Sequence, residues 1–209
     1  IGKGHAQGLK NISKAVDKAL SEVDNKVMLL LENEAGSKNS MGSSFEEIQG
    51  MIDGLQYYRE RIGVCFDTCH AFAAGYDLRN EGSVEATINE VDRIIGLRKV
   101  RVIHANDSKG DLSSKVDRHE HIGLGRIGED GFKVLVNHKK LRDLPFIMET
   151  PVDEIRDDYG NIKKLRELAG QVRMSQALRG ASPPDREEVT AVASINPEKG
   201  RSRQMWLSR

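Results

Sequence analysis

Ile62-Gly63-Val64-Cys65-Phe66-Asp67-Thr68-Cys69-His70 is an apolar run that ends on a carboxylate and is followed at once by an imidazole. The same design recurs three times. Val27 to Leu31 runs into Glu32, Val100 to Ile103 into His104, and Phe146 to Met148 into Glu149. The four ends are 35, 37 and 45 residues apart, about one strand–helix–return unit each. Parallel strands repeated at that interval bring their carboxyl ends to one face, where barrel enzymes build their sites.

Between these strands the spacing of apolar residues predicts helices. Leu9, Ile12, Val16 and Leu20 mark one face at the start, and Ser43 with Glu46 or Ser44 with Glu47 forms a capping box before a helix over 44–57. After the strand at 62–67, a loop through Gly75 and Asp77 leads to a helix over 84–95 with Val84, Ile88, Val91 and Ile95 inward. Strand 99–104 is followed by a long loop, 105–128, of a length usually reserved for function. A short helix around Phe132, Leu135 and Val136, a strand at 145–149 and a helix with Ile162, Leu165 and Leu168 complete the pattern. The class is α/β with parallel pairing, and the strands are continuous apolar runs, as expected when both faces are covered. A closed barrel needs eight such strands, so the expectation is the last four strand–helix units of a TIM barrel in residues 1–170.

Residues 171–209 differ. Pro183-Pro184, scattered charge and weak periodicity predict a disordered polar tail, whose seven Lys/Arg against four Asp/Glu give it a mild basic character. Over the whole chain Lys and Arg number 32 and so do Asp and Glu, so bulk charge does not announce nucleic acid. No apolar run is long enough to span a membrane, and no signal-peptide core is visible. Cys65 and Cys69, the only cysteines, flank Asp67 and read as reduced, buried thiols of an intracellular protein.

Glu32, Asp67, His104 and Glu149 at the strand ends are joined by His70, Asp117 and His119 in the loops. Each carboxylate alone could be a helix cap, but four strands ending this way predict a shared metal site. Mixed imidazole and carboxylate donors suit zinc or manganese, whereas calcium and magnesium prefer oxygen alone. Ser108, Lys109, Lys115 and Arg118 in the long loop add hydroxyl and cationic donors suited to a phosphate. His5 and His138 read as surface residues, and His121 as a supporting partner or substrate contact.

Five blocks carry a family resemblance. Glu32-Asn33-Glu34-Ala35-Gly36, Gly63 through Asp77, His104 through Lys109, Val116 through Gly123 and Met148-Glu149-Thr150-Pro151 resemble, in order, the endonuclease IV family of apurinic/apyrimidinic endonucleases. The resemblance implies a xylose isomerase-like TIM barrel with three zinc ions that cuts double-stranded DNA 5′ to abasic sites. It implies Glu32 as a bridge between two zincs, Asp67, His104 and Glu149 around the central one, and His70, Asp117 and His119 around another. Two zinc sites would then be fully liganded from this chain, with Glu149 and Glu32 as its catalytic residues. The family's two further zinc histidines, one in a His-Pro-Gly-Ser-His block, are expected immediately upstream of Ile1, which predicts an amino-terminally truncated barrel. An obligate protein partner is not evident, and the compartment follows the host: cytoplasmic in a bacterium, nuclear or mitochondrial in a eukaryote. Two other readings stay open, a non-catalytic barrel fragment and a metal-dependent sugar isomerase or epimerase.

Overall fold

The computed structural model describes residues 4–38, 40–170 and 205–207. Its frame is a sheet whose four parallel strands follow one another in chain order: β1 (Leu29–Glu32), β2 (Ile62–Asp67), β3 (Val100–His104) and β6 (Phe146–Met148). Helices α1 (His5–Ser21), α2 (Phe45–Asp53), α4 (Glu81–Ile94), α5 (Gly128–Asn137) and α6 (Asp158–Leu168) alternate with the strands. This is the strand–helix repeat of a TIM barrel, with four barrel strands among the described residues. Every residue of β2 is buried, which is why its sequence shows no polar alternation.

Local chemistry fixes the helix starts. Ser44, rather than Ser43, caps α2: its hydroxyl accepts from the Glu47 N–H while the Glu47 side chain accepts from the Ser44 backbone. Asn80 caps α4 by accepting from Ser83 N, and Asp157 caps α6 by accepting from Gly160 N. Between helices and sheet lies one core, in which Phe45, Phe66, Phe72 and Phe132 are almost fully buried. Phe45 stacks on Tyr76 at a ring separation of 4.0 Å and meets Phe66 at 6.2 Å, tying α2 to β2 and to the segment after it.

A bulge sets the register that matters for function. Val64 pairs with Val100, but the next pair is Cys65 with Val102, so Arg101 is the extra residue. Without that shift Asp67 would sit opposite Ile103. With it, Asp67 sits opposite His104, and Glu32 lies beside Cys65 on the other flank.

Two segments expected as loop have structure. Thr68–Ala74 forms α3, which starts directly on the end of β2 because the Asp67 carboxylate accepts from His70 N at 2.8 Å. It stops at Gly75, whose φ of 118° a side chain would resist. Within 105–128, β4 (Asp107–Ser108) pairs antiparallel with β5 (His119–Glu120) as a small ribbon. The expected disordered tail, 171–209, lies outside the described residues apart from β7 (Met205–Leu207), whose backbone pairs antiparallel with β6. Among the described residues no helix is long and apolar enough to cross a membrane.

Gly131 shows how closely α5 approaches its neighbour. A Cβ there would stand 2.1 Å from the Leu78 carbonyl oxygen and 2.8 Å from Ile127 Cγ2, so backbone would have to move. Gly131→Ala should therefore lose at least about 2 kcal/mol of stability, despite alanine's better helix propensity. Urea unfolding checks this, and an unchanged or raised midpoint would contradict the packing.

Candidate metal centre

The carboxyl ends of the four parallel strands converge. One donor atom each from Glu32, Asp67, His104 and Glu149 lies within 4.8 Å of the others. A second group at the same spacing comprises His70, Asp117 and His119. The sequence reading named all seven residues, and the fold brings them into these two groups. Glu32 stands between the groups, with Oε1 at 3.1 Å from His104 Nδ1 and 3.4 Å from His70 Nδ1. Asp67 is also shared, 3.8 Å from His104 Nδ1 and 4.0 Å from His119 Nε2.

Two asparagines that the sequence reading did not single out hold this arrangement. The Asn33 side chain accepts from Asp67 N at 2.7 Å and donates to Asp67 O at 3.0 Å, extending the β1–β2 ladder one residue past the strand. The Asn106 amide donates to Asp67 Oδ2 at 2.6 Å and accepts from Glu149 N at 2.8 Å, so one side chain spaces two strand ends. Thr68 adds a third link, its hydroxyl donating to Asn106 O at 2.7 Å. The sequence signals for these residues are position, one or two residues past a strand end, and their place inside the motif blocks that carry the resemblance.

The histidines are oriented for a cation. His70 Nδ1 lies 2.8 Å from Asn33 O and Nε2 lies 3.2 Å from Asp117 Oδ1, so in the absence of metal both nitrogens face acceptors. Burial opposes the charge on this ring, but Asp67, the Asp117 hydrogen bond and Glu32 outweigh it and raise the pKa to about 10. His104 is raised in the same sense: burial works against the charge, and Glu32, Asp67 and Glu149 overcome it. His119 donates from Nδ1 to Glu149 O at 3.0 Å, leaving Nε2 as its lone-pair nitrogen, buried and without a hydrogen-bond partner. Carboxylates, imidazoles and one orphaned nitrogen at these spacings fit a borderline divalent ion such as zinc.

A proton on His70 stabilises the metal-free fold because the folded pKa lies above the unfolded one. That stability is complete below the ordinary histidine pKa of about 6.5 and is lost as pH rises toward 10. In the presence of chelator the urea midpoint should therefore fall between pH 7 and 10, and His70→Asn should flatten the fall. A midpoint that rises over this range would exclude the imidazolium.

The long loop delivers Asp117 and His119 by being pinned at several points. Ser113 N donates to Phe72 O and Lys115 N to Ala73 O, at the carboxyl end of α3, and Lys109 N donates to Arg118 O across the ribbon. Ser113 and Lys115 take left-handed φ values of 63° and 58°, a local strain held by these contacts. Lys109, Lys115 and Arg118 are exposed on this loop. Ser108 is a correction: it is fully buried in β4 and its hydroxyl donates to Gly110 O at 2.9 Å, so it does not face a ligand. His121 is likewise fully buried, between Asp153 at 3.0 Å and the Asn161 amide at 3.0 Å, which makes it a tie to α6 and not a substrate contact. His5 meets Glu47 at the surface, whereas the His138 side chain is mostly covered and pairs with Glu85 at 2.9 Å.

Burial favours the protonated form of both thiols. Burial pushes the Cys65 thiol well above its ordinary range, with Glu32 adding to the effect. Burial and the Asp67 charge push Cys69 up to about 12.

A parallel strand–helix sheet with carboxylates and imidazoles at its carboxyl ends defines a TIM-barrel protein with two groups of side chains that could hold metal ions. The comparisons agree with that class. Residues 1–173 match the model of the xylose isomerase-like TIM barrel family, and the chain belongs to it. It is 54% identical over 170 residues to "Probable endonuclease 4" of Methanoculleus marisnigri, covering 81% of this chain and 60% of that protein. The same name is carried by a relative from Nitrosopumilus maritimus, 44% identical over 169 residues with the same coverage of 81% and 60%. The crystal structure of endonuclease IV from Thermus thermophilus superposes with a TM-score of 0.67 at 36% identity, over 81% of this chain and 60% of that one. The resemblance seen in the sequence is thus met by relatives named endonuclease 4 or endonuclease IV, and the chain spans about 60% of the length of these relatives.

Proposed function

We propose that this chain carries the zinc centre of a DNA-repair endonuclease that hydrolyses the phosphodiester bond 5′ to abasic sites in duplex DNA. The observation that carries the reading is the pair of donor groups, Glu32–Asp67–His104–Glu149 and His70–Asp117–His119, meeting on one face of the sheet. Each group would hold one zinc, with Glu32 placed to bridge them. Bound zinc supplies Lewis acidity toward a phosphate oxygen and an attacking water.

The chain's own residues contribute the rest. Glu32 and Glu149 keep solvent access beside the buried Asp67, His70 and His104, where a carboxylate can take the proton of an incoming water. The neighbouring carboxylates favour the protonated rings of His70 and His104, and would favour a bound cation in the same way. Lys109, Lys115 and Arg118, exposed on the loop that delivers Asp117 and His119, are placed to contact the DNA backbone. Among the described residues Lys109 pairs with Glu120 at 4.0 Å, a loose contact that leaves it able to turn to a phosphate. A DNA substrate places the protein inside the cell.

The test is an end-labelled duplex with a single abasic site. Zinc-loaded protein should give one nick on the 5′ side of the lesion, suppressed by chelator and lowered about a hundredfold or more in Glu149→Gln. An intact duplex at saturating zinc would contradict the catalytic assignment. It would favour the second reading, a metal-binding barrel segment without activity of its own. Turnover of a simple ketose without DNA cleavage would instead point to a sugar isomerase or epimerase.

A further inference from the structure

Both cysteines of the described chain lie against the centre, and the function proposed above uses neither. Cys69 is the second residue of α3. Its Sγ, a carboxylate oxygen of Asp67 and a ring nitrogen of His119 all lie within 4.8 Å of one another. The thiol donates to Arg118 O at 3.6 Å, the carbonyl just before His119, so it faces the loop that delivers the imidazole. On that imidazole Nε2 is buried and makes no hydrogen bond, with Asp117 at 3.5 Å and Asp67 at 4.0 Å as its nearest carboxylates. Sulfur, nitrogen and oxygen donors thus lie within reach of one ion, and the buried nitrogen among them makes no hydrogen bond.

A thiolate is a soft ligand, and it selects cations that a carboxylate–imidazole set alone would not favour. We propose that Asp67, Cys69 and His119 form a second, alternative metal site, specific for a soft thiophilic divalent cation of which cadmium is the probe. The proposal rests on the reading of the centre as metal-binding. Binding releases the Cys69 sulfur proton to solvent and forms a sulfur–metal bond, with no change of oxidation state. His119 belongs both to this set and to the His70–Asp117–His119 group, so the two occupancies exclude each other. A soft cation caught at Cys69 withdraws His119 from its other partners, which makes the site an entry point for inhibition by thiophilic metals. Cys65 provides the contrast. Its Sγ is grouped with Glu32 and His104, but there His104 Nδ1 already faces Glu32 at 3.1 Å.

The experiment titrates the metal-free chain with cadmium and follows the ultraviolet sulfur-to-cadmium charge-transfer band, with a parallel zinc titration. The band should develop in the wild type and in Cys65→Ser, and vanish in Cys69→Ser and Cys69→Ala, with cadmium affinity lowered about tenfold or more. Cadmium binding without the band, or a band that survives in both Cys69 variants, would overturn the site. Should zinc bind normally while the cadmium band is absent, only the Cys69 site fails. Should neither ion bind, the metal centre fails with it.

Discussion

Asp107→Ala should destabilise the protein by about 3–5 kcal/mol, the largest effect expected of any residue outside the apolar core. Asp107 is fully buried, and its oxygens accept from the backbone N–H groups of Ser108 at 2.8 Å, Ile127 at 2.9 Å, Gly123 and Gly125 at 3.0 Å and Gly128 at 3.2 Å. Burial raises its pKa, and these donors work against that rise. Truncation leaves five donors facing a void, each a desolvated group with no replacement acceptor. Asp107→Asn should recover part of the loss, because one oxygen remains. The effect should reach the centre, since Asp107 and Ser108 pair with Glu120 and His119 across the ribbon. Zinc at the His70–Asp117–His119 group should therefore weaken more than at the strand-end group. A loss below about 1 kcal/mol in urea unfolding would mean that the loop is held elsewhere.

Asp67→Asn should lower zinc affinity by at least about a hundredfold while leaving most of the fold intact. Asp67 is fully buried at the junction of the donor groups and caps α3 through the His70 N–H. Asparagine can keep that cap through its remaining oxygen, so the helix carrying His70 should persist. What it loses is charge between two imidazoles, together with the acceptor for the Asn106 amide, 2.6 Å away. Loss of the Asp67 charge also removes a main support of the raised His70 pKa, so that ring should titrate nearer the ordinary value. Calorimetry measures the affinity, and histidine proton resonances followed against pH measure the shift. Wild-type zinc affinity in this variant would remove Asp67 from the centre.

The strand ends were legible in the sequence because a buried parallel strand has no polar alternation, so a carboxylate or imidazole closing it stands out. Glu32, Asp67, His104 and Glu149 are of this kind, and the loop residues His70, Asp117 and His119 were found as carboxylate–imidazole pairs close in sequence. The geometry that makes them a site was not legible. The bulge at Arg101 leaves no residue signature, yet it moves Asp67 from Ile103 to His104. Helix α3 was hidden because Asp67 serves at once as strand end and helix cap, and the seven residues after it are too few to show a period. Asn33 and Asn106 look like ordinary loop residues until their side chains are seen to continue the backbone ladder. Ser108 misled for the opposite reason: a hydroxyl beside lysine looks solvated, and two-residue strands give no pattern that would reveal its burial.

The most direct test of the account is the zinc content of the chain, purified and dialysed exhaustively against metal-free buffer, measured by elemental analysis and native mass spectrometry. The account predicts two retained zinc ions, one for each donor group, falling to none when Asp67 and His119 are replaced together. A chain that retains no zinc, or one whose zinc survives that double replacement, would contradict it.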